Sequence, residues 1–164
     1  MIFRALGLAF VLGLSLTAGA QTSVEALDWK EGEVPPPPAF DAGKLLNFDV
    51  SSGSSLVYGV DPATLSIGKD GIVRYVLVAT SASGARNVLY EGLRCSSGEF
   101  KTYARYTPEG VWRDVDKAQW SPMFGNMPSR HALKFARVGA CNNSAPASSV
   151  GEIVRQLKTQ GYSP

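Results

Sequence analysis

The chain of 164 residues is 45% hydrophobic and 18% charged, with a formal net charge of +2. That composition belongs to an ordinary globular protein with one core and excludes a disordered chain or a polytopic membrane protein. The basic residues are interleaved with acids and form no block, which excludes an electrostatic nucleic-acid binder.

Residues 1–20 read as a secretory leader. Arg4 supplies the positive end, residues 6–16 an apolar run shorter than a bilayer span, and Ala18-Gly19-Ala20 a small-x-small cleavage site. Cleavage is expected after Ala20, giving an exported, periplasmic protein with no remaining membrane span. No cysteine follows the apolar run, so a lipoprotein signal is not read. In an oxidising compartment the two cysteines, Cys95 and Cys141, have only each other, which predicts a structural disulfide. A loop of that size contributes on the order of 4 kcal/mol in the chain-entropy model.

Residues 21–43 read as an extended arm. Pro35-Pro36-Pro37-Pro38 forces polyproline geometry, and the arm is expected to lay Trp29 and Phe40 onto the domain that follows, over residues 44–164. That domain opens with short strands at residues 45–50, 56–60 and 65–67, then a tight hairpin at Asp70-Gly71. The next three runs, within residues 72–106, are separated by Ser81-Ala82-Ser83-Gly84 and Ser96-Ser97-Gly98 and predict an antiparallel meander. The run at 72–79 is apolar on both parities, as in a strand covered on both faces. In the third run Phe100, Thr102, Ala104 and Tyr106 are expected to be packed, and Glu99, Lys101, Tyr103 and Arg105 wet.

A short strand is expected near Val111-Trp112, with Trp112 and Trp120 capping the core. A helix is predicted over residues 129–140 with Ser129 as its N-cap. Ser149-Val150-Gly151-Glu152 reads as a capping box opening a last helix, whose stripe is Val150, Ile153, Val154 and Leu157, stopped by Gly161 and Pro164. The fold class is therefore α+β: a single-domain antiparallel meander packed by two C-terminal helices and held by one disulfide.

Chemistry is sparse. The single histidine, His131, has no G-x-S-x-G elbow with it and reads as a surface or capping residue. Asp114 and Asp116 lack the further ligands of a calcium loop, so neither a metal nor a cofactor is expected. The candidate polar cluster, functional or structural, is Asp70, Arg74, Glu91, Arg94 and Arg105. Glu91 is expected to form a cross-strand ion pair with Arg105 or Lys101.

Trp29 with the prolines and Phe40, Asp70-Gly71-Ile72-Val73-Arg74-Tyr75, Ser83-Gly84-Ala85-Arg86-Asn87-Val88, Tyr90-Glu91-Gly92-Leu93-Arg94-Cys95 and Tyr103-Ala104 resemble the CNP-like family of uncharacterised proteobacterial envelope proteins. The resemblance covers nearly all of the chain after the leader. It implies a Gram-negative envelope location and no established activity, hence no catalytic residues to carry over. The expected function is non-catalytic binding or envelope association, with an unidentified envelope protein or glycan as partner. Two alternatives are a wall-directed hydrolase using Glu91 or Asp70 in a shared pocket, and an inhibitor of a secreted hydrolase.

Overall fold

The computed structural model describes residues 29–160 apart from residues 52 and 53; the predicted leader, the start of the arm and the terminal Gly161 and Pro164 lie outside the described residues. Strands β1 (Leu46–Phe48), β2 (Leu56–Val60), β3 (Ser66–Ile67), β4 (Ile72–Ser81), β5 (Arg86–Arg94), β6 (Glu99–Tyr106), β7 (Trp112–Asp114) and β8 (Ser121–Pro122) form one antiparallel sheet. Its order is β1-β2-β4-β5-β6-β7. β3 pairs with the same edge of β4 as β2, and β8 with the same edge of β6 as β7.

The Gly-bearing turns make this meander. Gly71, Gly84 and Gly98 all have positive φ, which glycine reaches without strain, and each sits where one strand reverses into the next. Alternation then sorts the side chains of β4. Val73, Tyr75 and Leu77 enter a large core shared with the C-terminal helices, and Val76 and Val78 enter a second apolar cluster on the opposite face.

The second face is covered by the arm. Val34 and Phe40 pack on the cluster of Val76, Val78, Val88, Tyr90, Tyr103 and Ala104. Phe40 meets the edges of Tyr106 and Trp112, with ring centroids 5.0 and 5.9 Å away. Tyr103 is thus buried and Lys101 half-buried, which corrects the expectation of a packed face and a wet one, although Arg105 stays exposed. A bulge also intervenes: Tyr90 pairs with Ala104 but Glu91 with Thr102, leaving Tyr103 as an extra residue. The bulge reverses the parity of β6. Phe100 packs on the helix side, whereas Ala104 and Tyr106 join the arm side.

The predicted helix over residues 129–140 is shorter and irregular. Helix α1 (His131–Phe135) widens into a π turn (Ala136–Ala140) broken by the non-helical Gly139. A Cβ at Gly139 would lie 2.5 Å from Gln156 Cβ, so glycine is what allows the last helix, α2 (Val150–Gln160), to approach. Ile153 and Leu157 of α2 are buried against the sheet, and Val150 and Val154 flank them. Only half of the capping box forms. Ser149 Oγ accepts the Glu152 N–H at 3.2 Å, but the Glu152 carboxylate turns forward to Arg155 and Gln156 on its own helix.

Between the helices, Cys141 opens a two-stranded hairpin of β9 (Cys141–Asn142) and β10 (Ala145–Pro146) that the sequence reading does not anticipate. Cys141 is bonded to Cys95 at the end of β5, with 46 residues of separation, so the bridge clamps the end of the π turn to the sheet. Among the described residues no helix is long and apolar enough to cross a membrane. Replacing both cysteines by alanine is expected to lower the unfolding free energy by about 2–4 kcal/mol, read as a fall in the urea midpoint. A midpoint equal to that of the oxidised protein would show that the clamp adds nothing to stability.

Candidate functional site

Glu91 follows Leu89 and precedes Leu93 on the helix-facing parity of β5, so strand geometry alone drives its carboxylate into the core. It is 0% exposed. A buried carboxyl group is tolerated only when donors replace the lost water, and three do so here. Tyr75 O–H donates to Oε2 at 3.0 Å and Thr102 O–H to Oε1 at 3.0 Å, while His131 Nε2 lies 2.9 Å from Oε2. Beside this acceptor the Tyr75 hydroxyl is pushed well above its ordinary pKa, by burial first and by Glu91 second.

His131 carries the network outward. With Glu91 as the acceptor, a neutral imidazole would carry its hydrogen on Nε2 and present Nδ1 to Ser129. Ser129 Oγ lies 2.9 Å from Nδ1 and 3.2 Å from the Tyr58 hydroxyl. The imidazole is fixed on both sides: it stacks on Tyr58 at an interplanar angle of 7°, and Phe100 meets it edge-on at 82°. Ser129, half-buried, and Tyr58 form part of the wall of a groove of about 440 Å³ together with Ser54, Met127 and Arg130. The line Glu91–His131–Ser129 therefore runs from the core to a solvent-facing cleft.

On the opposite face a second polar group fastens the arm. Asp70 is bonded by both Arg74 terminal nitrogens, at 3.2 and 2.6 Å, and also accepts the Gly32 N–H. Trp29 Nε1–H donates to the Asp70 carbonyl, and the Arg94 guanidinium lies 3.7 Å over the Trp29 ring. Glu31 accepts from Lys101 Nζ at 2.8 Å, Tyr103 O–H at 2.7 Å and Trp120 Nε1–H at 3.3 Å. Tyr103 reaches it by crossing Gly92, where a Cβ would lie 2.5 Å from the hydroxyl.

The five predicted polar residues thus divide. Asp70, Arg74 and Arg94 stand together under the arm, Glu91 lies across the sheet from them, and Arg105 is exposed on β6 opposite Arg113. The expected ion pair of Glu91 with Arg105 or Lys101 does not form. The bulge sets Thr102 beside Glu91, and Lys101 points to the arm face and Glu31. Asp70 and Glu91 lie on opposite faces of the sheet, so these two carboxylates do not form a shared site. His131 is not on the surface; it is 7% exposed and bonded into the core. The signal for it was the inward parity of Glu91, which demands donors that β4–β6 alone do not complete. Among the described residues no cluster of three or more His, Cys, Asp or Glu could hold a metal ion.

A sequence model of the CNP1-like family matches residues 24–158. Cryptic neisserial protein 1 of Neisseria gonorrhoeae is 27% identical over an alignment of 190 positions that covers 96% of this chain and 93% of that protein. No solved structure matches significantly.

Two outcomes follow from the two polar groups. Burial opposes the charges of Asp70 and Glu31, yet Arg74 with the Ile72 and Gly32 N–H groups, and Lys101 with Tyr103 and Trp120, hold both carboxyls below their ordinary range. Their contribution to stability is present above the unfolded values of about 3.9 and 4.3 and is lost as pH falls through the lower folded values. Trp29 fluorescence, isolated as wild type minus Trp29→Phe, should therefore change on acidification below roughly pH 4. In the Glu31→Gln variant the response should shrink to the portion that Asp70 carries. On the other face, His131→Ala removes one of three donors from a buried carboxyl group. It should cost about 3 kcal/mol in urea unfolding, clearly more than Ser129→Ala at the rim.

Proposed function

The chain belongs to the CNP1-like family, and we propose that it is an exported envelope protein of the periplasm that binds wall glycan in a groove beside its disulfide. The Cys95–Cys141 bond, the neisserial relative and the leader-like residues 1–20 support export, since such bridges persist where thiols are oxidised.

The observation that carries the binding reading is Phe124. This ring is 57% exposed, the most exposed of the large hydrophobic side chains among the described residues, and it lines a groove of about 710 Å³. Asn142, Asn143 and Ser97 line the same groove with Arg137. An aromatic platform among amide and hydroxyl side chains matches the apolar face and hydroxyl rim of a sugar ring, and Arg137 suits the carboxylates of wall polymer. The disulfide lies in the groove wall and keeps the hairpin of β9 and β10 in place opposite Ser96 and Ser97. Recognition by a preformed surface needs little reordering on binding.

Purified oxidised protein should co-sediment with isolated peptidoglycan sacculi, and Phe124→Ala and Arg137→Ala should each weaken retention about tenfold without altering the urea midpoint. Equal retention of the two variants and the wild type would place any binding elsewhere. No retention of the wild type would end the glycan reading.

A further inference from the structure

We propose that Ser129 is the nucleophile of a second, ester-cleaving site, with His131 as its general base and Glu91 as the residue that positions the base. Four observations meet at this point. Ser129 Oγ lies 2.9 Å from His131 Nδ1, and His131 Nε2 lies 2.9 Å from Glu91 Oε2, which is the chain of contacts that makes a serine hydroxyl nucleophilic. The imidazole is preorganised by Tyr58 and Phe100, and the carboxyl group by Tyr75 and Thr102. The inner members are shielded from water, whereas the serine is half-buried on the wall of a groove. Arg130 lines the same wall as Ser129 and brings a positive charge to the groove in which an oxyanion would develop, while the Tyr58 hydroxyl bonds Ser129 Oγ itself.

The reaction balances on these groups and water alone. Ser129 Oγ attacks the carbonyl carbon of a carboxylic ester, its proton passes to His131 Nδ1, and the carbonyl electron pair moves to oxygen. Collapse breaks the bond to the alcohol oxygen, which leaves with the proton from Nδ1, and an acyl-Ser129 remains. A water then gives a proton to Nδ1 and adds to the acyl carbon. The second collapse releases a carboxylic acid and returns the proton to Ser129. The groove, about 440 Å³ with Leu56 and Met127 among its lining, suits a short acyl group on a larger alcohol that extends into solvent.

This site is separate from the glycan groove, although the segment 123–130 reaches both: Phe124 faces one, Met127, Ser129 and Arg130 the other. Oxidised full-length mature protein should be labelled at Ser129 by a fluorophosphonate and should hydrolyse p-nitrophenyl acetate. Ser129→Ala and His131→Gln should each reduce hydrolysis at least about 100-fold and abolish labelling, with near-UV circular dichroism retained. Glu91→Gln should lower kcat more than it alters KM and displace the limb of the pH–rate profile that belongs to the base, a change a purely structural residue would not produce. Phe124→Ala should leave labelling intact, which separates this site from the sacculus-binding one. Absence of label on Ser129 in folded wild-type protein, label on another residue only, or hydrolysis that survives Ser129→Ala would each overturn the proposal.

Discussion

Two central strands that are apolar on both faces set the terms for this molecule. β4 alone buries Ile72, Val73, Tyr75, Val76, Leu77 and Val78, so neither face of the sheet it centres can be left to water. One face is met by elements from the C-terminal third, α1, the π turn and α2. The other is met by residues 29–43, which contribute no strand and no helix but do contribute Val34 and Phe40. The arm therefore acts as a layer of the fold rather than a tether to it.

Each cover is aligned by a polar group, and the two groups have different characters. Under the arm, Asp70–Arg74 is a buried ion pair and Glu31–Lys101 a half-buried one that Tyr103 O–H and Trp120 N–H complete. Hydrophobic contact is non-directional, so these pairs fix where along the sheet the arm rests. Under the helices the polar group sits deeper. Glu91 is enclosed, and its outermost partner His131 begins α1. A helix of five residues could slide over an apolar surface; bonded through its first residue to a strand, it has one register.

Much of this was legible in the chain, and the parts that were not share a cause. Asp70-Gly71, the Gly84 cluster and the Gly98 cluster located the meander because hairpin turns are local chemistry. The stripe of Ile153 and Leu157 located α2 for the same reason. The bulge at Tyr103 escaped because the residues 99–106 alternate well enough on their own, and only pairing with β5 reveals the extra residue. Glu91 was read as a cross-strand ion-pair partner, because the donor that completes its buried site stands 40 residues away at a helix start. Glu31 is 70 residues from Lys101 and 89 from Trp120, contacts that no local pattern announces.

The seat of the arm has a consequence for the order of assembly. Residues 29–43 precede in the chain every group that receives Glu31 and Trp29, from Asp70 to Trp120. The segment has no partner until the meander exists, and loop closure over such spans is slow relative to the local hairpins. Its release would bare Val76, Val78, Val88 and Tyr90 on the face away from the disulfide-clamped helices. Without the arm the sheet would keep one greasy side uncovered.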